Sequence, residues 1–263
     1  MKRKLTFLTL IALAVVLAAA CGRRHKHHGE LTDAQLERRA HDKLDYGLDE
    51  IDATDAQRAK IGGILDKQVL PELKALRPLK KETHDIAVRE LLSGKPDAGT
   101  LHKLVDDRAV TLTGLAHKLA DAAIDAHAVL TPAQRTDIAD RMQERAAEHD
   151  DSDGEWMANM MVERALDKLD ASNQQEELVL DHKERLTTEF KALRTSGDRS
   201  RATMDAELRS KAPDAAVIHK LIDVRAGQYA GVAHKVVDGA VEIGATLTPK
   251  QREIICEKIG ATK

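Results

Sequence analysis

Three histidines fall within four residues, His25, His27 and His28, shortly after Cys21. Neutral imidazoles suit Zn²⁺, Ni²⁺ and Cu²⁺, and a short histidine-rich tract has the composition of a metal-binding segment. Arg23, Arg24 and Lys26 oppose a cation, and the tract holds no acid or thiol, so it reads first as a flexible basic tether. Four other histidines, His102, His117, His219 and His234, lie in two long helical segments. Within one segment the two are roughly 22 Å apart, too far to share a metal, and they flank the apolar stripe. Helix–helix hydrogen bonds are the expected role. Arg108 and Arg225 fall in the middle of that stripe, where a guanidinium must reach a carboxylate or water. Glu90 and Glu207 of the preceding helix are the expected partners; the competing reading is that both arginines line an open concave face. No HExxH, no Gly-rich phosphate loop and no nucleophile elbow occurs, so neither enzymatic activity nor a cofactor is expected.

The elements that position these residues occur twice. Leu130-Thr131-Pro132-Ala133-Gln134-Arg135 returns as Leu247-Thr248-Pro249-Lys250-Gln251-Arg252, a constant offset of 117 that holds without a gap from Glu72/Glu189 onward. His102, Asp106, Arg108, His117 and Asp121 thereby match His219, Asp223, Arg225, His234 and Asp238. Upstream, Asp52-Ala53-Thr54 matches Asp170-Ala171-Ser172 after a slip of one residue. Such self-similarity marks a tandem duplication.

Residues 1–20 have the three parts of an export signal: a basic start at Lys2, Arg3 and Lys4, an apolar run from Leu5 to Leu17, and Ala18-Ala19-Ala20 before Cys21. The run is shorter than the ~20 residues needed to span a bilayer. Cys21 is the expected lipidation site, and Gly22 after it implies sorting to the outer membrane of a two-membrane bacterium; cleavage without lipid, leaving a soluble periplasmic protein, is the alternative. The only other cysteine is Cys256, so no intrachain disulfide is expected once Cys21 is lipidated.

Aromatic residues make up 2% of the chain and charged residues 32%. This suits long amphipathic helices better than sheets, and a net charge of −3 with interleaved signs argues against a nucleic-acid partner. The clearest helix spans about 97–129, with Leu101, Leu104, Val105, Leu112, Leu115 and Leu119 on one face. It is too long to bury that stripe alone. Thr32/Gln35, Thr54/Gln57, Ser172/Gln175, Thr131/Gln134 and Thr248/Gln251 have the spacing of capping boxes, and Pro96 and Pro213 break the chain between long helices. The expectation is an all-α protein: a signal at 1–20, a lipidated and histidine-rich tether at 21–30, and four-helix repeats at 31–149 and 150–263.

These boxes in an exported, strand-free chain resemble the Spy/CpxP family of bacterial envelope proteins, which includes ATP-independent periplasmic chaperones and metal-linked relatives. Leu31, Thr32 and Gln35, Leu130, Thr131 and Gln134, and Leu247, Thr248 and Gln251 carry the Leu-Thr-x-x-Gln motif directly, and Thr54 and Gln57 a degenerate one. The resemblance implies a cradle built from two antiparallel repeats, here within one chain, so that a monomer holds an internal pseudo-dimer. It also implies unfolded or misfolded envelope proteins as partners. The candidate client-facing residues are Arg77, Lys80, Lys81 and Arg194 on the second helix of each repeat, with Arg108 and Arg225. The alternative function is a metal-binding or metal-responsive envelope lipoprotein, with Zn, Ni or Cu at His25, His27 and His28.

Overall fold

The computed structural model describes residues 32–147 and 152–259. The leader, Cys21, His25, His27, His28 and Leu31 lie outside them. The chain is all-α, and no strand occurs among the described residues.

The first repeat runs through α1 (Asp33–Asp49), α2 (Asp55–Ile64), a π-helical turn (Leu65–Val69), α3 (Leu70–Leu92), α4 (Ala98–Val129) and α5 (Pro132–Ala147). The second runs through α6 (Ser152–Leu169), α7 (Asn173–Arg209), α8 (Ala215–Thr246) and α9 (Pro249–Ile259). Thus α7 stands where α2, the π turn and α3 stand in the first copy. The difference has a sequence cause: from Asp52 to Glu72 the first repeat has one residue more than the second has from Asp170 to Glu189. A π turn bonds i to i+5 and so absorbs one extra residue, as the Leu70 N–H bond to Leu65 O shows. Pro71, which has no N–H to give, follows at once.

Helix starts follow the capping grammar. Thr32, Thr54 and Ser172 each accept from the backbone N–H three residues on, while Gln35, Gln57 and Gln175 reach back to the cap N–H. Thr131/Gln134 and Thr248/Gln251 do the same. The glutamines do more than cap. Gln57 and Gln134 exchange amide hydrogen bonds, and their Nε2 groups also donate to Val129 O and Ile51 O. Gln175 and Gln251 repeat the arrangement on Thr246 O and Leu169 O. Each pair of boxes therefore bolts two helix starts and two helix ends into one knot.

Beside the first knot lies a core of Leu48, Ile51, Ala53 and Ile61, with Val129, Leu130 and Ile138 against it. Helices α1 and α6 close with Asp52 and Asp170 at φ 50° and 49°. Ala53 N–H reaches Leu48 O and Ala171 N–H reaches Leu166 O, the left-handed helix stop that Asp tolerates better than most residues.

The central helices pair within and between the repeats. Within each repeat, α3 lies on α4 and α7 on α8, and the most extensive helix–helix contact is between α4 and α8 of different repeats. The packing is shallow: no large side chain among the described residues is completely shielded from solvent.

Candidate functional site

The α4–α8 seam gathers the duplicated histidines. On each helix, histidine and aspartate stand four residues apart, which places them one turn apart on the same face. Because the helices run antiparallel, each histidine meets the other type from the opposite repeat. His102 meets His234, and His117 meets His219. His102 Nε2 lies 2.8 Å from Asp238 Oδ1, and His234 Nε2 lies 2.9 Å from Asp106 Oδ1. At the other end, His219 Nε2 bonds Asp121 Oδ1 at 2.8 Å. His117 Nε2 sits 2.8 Å from Asp223 Oδ1 at an angle that makes no hydrogen bond.

The two histidine pairs differ in detail. In the first, Nδ1 faces Nδ1 at 2.5 Å with ring centroids 4.8 Å apart. The difference is close to two ring radii, so the rings meet edge to edge and the Nδ1 atoms lie nearly on the centroid line. In the second, the centroids are 4.4 Å apart and the planes within 10°. Helix–helix bonding was the expected role of these four residues; their cross-repeat partners were not legible in the sequence.

A second set of contacts crosses between the repeats at both ends. Arg135 is buried, donating Nε to His127 O and Nη1 to Ser210 O and Lys211 O just beyond the end of α7. Arg252 mirrors it, donating to Gly244 O and to Gly94 O beyond the end of α3. Gly94 has φ 81°, a conformation that favours glycine, and its missing Cβ leaves room for the Arg252 guanidinium, which a Cβ would meet at 2.8 Å. His127 Nε2 adds a bond to Leu208 O. Sequence reasoning passed over Arg135 and Arg252, although both follow the capping glutamine of a duplicated box.

The stripe arginines find partners other than those expected. Arg108 bonds Thr83 Oγ1 and Glu82 Oε2 at 2.7 and 2.6 Å, not Glu90. Arg225 donates to Leu193 O and Gln228 Oε1, and its guanidinium stands 5.0 Å from the Tyr229 ring centre. Glu207 instead accepts from Asp214 N–H in the α7–α8 turn. The hairpin register explains both corrections. Reflection about the loop between α3 and α4 puts Glu82 opposite Arg108, as it puts Glu72 opposite Lys118. In the second copy the residue matching Glu82 is Arg199, a like charge, so Arg225 turns to backbone carbonyl.

The other basic residues singled out lie along α3 and α7. Arg77 pairs with Asp33 of α1, beside a Lys74–Glu37 bridge. Lys81 pairs with Asp85. Lys80 and Arg194 are exposed.

Midway along the seam, Ala109, Val110, Gly114, Ala226, Gly227 and Ala230 line a shallow apolar groove. Val110 is 76% exposed and Val224 51%. Among the described residues no three His, Cys, Asp or Glu side chains form a group that could hold a metal ion, and no helix is long and apolar enough to cross a membrane. Comparison with family models, with curated proteins and with solved structures finds no match to this chain.

Proposed function

We propose that this chain is an ATP-independent chaperone of the bacterial envelope, tethered through lipid on Cys21, that shields apolar segments of unfolded proteins. The observation that carries the reading is the half-covered apolar surface of the central helices: Val110 and Val224 stand exposed, and beside Val110 runs a groove floored by small side chains. An exposed aliphatic side chain lining an apolar groove offers a surface on which an apolar segment can dock. The Leu-Thr-x-x-Gln boxes, which resemble those of the Spy/CpxP family, and the export-type leader support this reading.

In this reading the duplication takes the place of dimerisation. Contacts that recur when the repeats are exchanged, such as Arg135 to Lys211 and Arg252 to Gly94, have the form of a two-fold interface. The chain is then a monomer with an internal pseudo-dimer. The test is light scattering of an aggregating client with the protein from Glu30 onward. Suppression at stoichiometric amounts, weakened by Val110→Asp, is the expected result. Absence of suppression overturns the proposal.

A further inference from the structure

The edge-to-edge histidine pair constrains its own protons. Asp238 and Asp106, as carboxylates, only accept, so His102 Nε2 and His234 Nε2 must both carry hydrogen. A contact of 2.5 Å between Nδ1 atoms then requires one hydrogen between them, because two bare lone pairs repel and two N–H groups collide. The row Asp238–His102–His234–Asp106 is thus complete with three ring protons on two rings. One more or one fewer removes the central bond. His117, His219, Asp121 and Asp223 bring the same residue types together at the other end of the seam.

We propose that the α4–α8 seam is a proton-set clasp. It closes most firmly with a single proton shared between His102 and His234, and loosens when that pair loses the proton or gains another. The two central helices of different repeats are each other's main partner, so the clasp governs how tightly the halves hold together. The inference rests on the seam geometry alone and is independent of client binding.

Charged neighbours on the packed helices have partners of their own, although Arg225 of α8 is held by Leu193 O and Gln228 Oε1 and not by an acid. On α4, Lys103 pairs with Asp107, and Lys118 reaches Glu72 of α3. On α8, Lys235 reaches Glu189 of α7. Arg108 is held by Glu82 of α3. Two further histidines lie on the same helices' contacts: His182 of α7, which bonds Glu242 of α8, and His127 near the end of α4, whose pKa burial pushes down. The double variant below leaves both in place, so whatever they contribute is common to the two proteins.

The experiment is thermal unfolding of the full chain between about pH 5 and 9, spanning the range in which histidine changes charge. The variant His102→Gln/His219→Gln removes one ring from each pair while its amide can still reach the aspartate. The expected wild-type midpoint peaks inside this range and falls on both sides, with an alkaline drop of about 2–4 °C that the variant lacks. A wild-type profile flat above pH 7, or a variant with the same alkaline drop, overturns the proposal. Should the double variant not fold, ¹⁵N NMR of the wild-type rings decides. A proton shared between His102 and His234 supports the clasp, and two rings that titrate independently refute it.

Discussion

Gln134 holds the Thr131 N–H with its amide oxygen at 2.9 Å and offers its amide nitrogen to Gln57 Oε1 at 3.1 Å. One side chain therefore starts a helix and ties that start to another. The two roles separate chemically. Gln134→Glu keeps an oxygen for the cap but removes the donor, leaving a carboxylate against Gln57 Oε1 and Ile51 O. Loss of about 1–3 kcal/mol is expected from the orphaned acceptors, against the ~1 kcal/mol typical of a lost cap in Thr131→Ala. Urea unfolding of both variants checks the order; Thr131→Ala as the costlier change would contradict it.

Arg135 binds three carbonyl oxygens contributed by two repeats. Arg135→Lys keeps the charge but cannot span them with one planar fork. A loss of about 1.5–3 kcal/mol, the size of a charge-assisted hydrogen bond, is expected by denaturant titration. The equivalent Arg252→Lys should cost less, since its bonds to Gly94 O and Gly244 O are both 3.4 Å long.

His127 is buried, and burial pushes its pKa below the ordinary 6.5, with Arg135 adding to the effect against the opposing bond to Leu208 O. The folded chain therefore keeps this ring neutral at a pH where the unfolded chain protonates it. Stability is fully present above about pH 6.5 and declines as pH falls from there toward the folded-state pKa. His127→Gln should show a smaller difference between unfolding at pH 7.5 and at pH 5. Equal differences in the two proteins would show that folding leaves the pKa of His127 unshifted.

An isolated first repeat, residues 30–150, would uncover the face of α4 that meets α8 and lose the Arg135 bonds to Ser210 and Lys211. Half a dozen leucine-sized contacts are worth on the order of 10 kcal/mol, comparable to the stability of a whole domain. Analytical ultracentrifugation should find the fragment dimeric or unfolded, and the complete protein from Glu30 onward monomeric. A stable monomeric fragment would mean the repeats fold as independent beads.

Helix limits and the duplication were legible because they are written locally, in caps such as Thr54/Gln57 and in apolar spacing along α4. The partner of Arg108 was within reach: reflecting the sequence about the α3–α4 loop leads to Glu82, whereas Glu90 satisfies charge but sits too near the turn. The meeting of His102 with His234 was not within reach. It depends on the antiparallel approach of two helices more than a hundred residues apart, which no local pattern encodes. Arg135 escaped notice for a related reason, since its acceptors are backbone carbonyls and leave no mark in residue types.

The π turn at Leu65–Val69 also acts as a phase corrector. One additional residue in an α-helix rotates everything beyond it by about 100°, which would swing Glu72 away from Lys118. Because the wider turn consumes that residue on the spot, Glu72 emerges at the same azimuth as its twin Glu189, and both meet the lysine of the next helix. The two halves can thus differ in length while remaining interchangeable in angle. In this five-residue stretch the first copy carries its extra residue without turning the rest of the helix away from its partner.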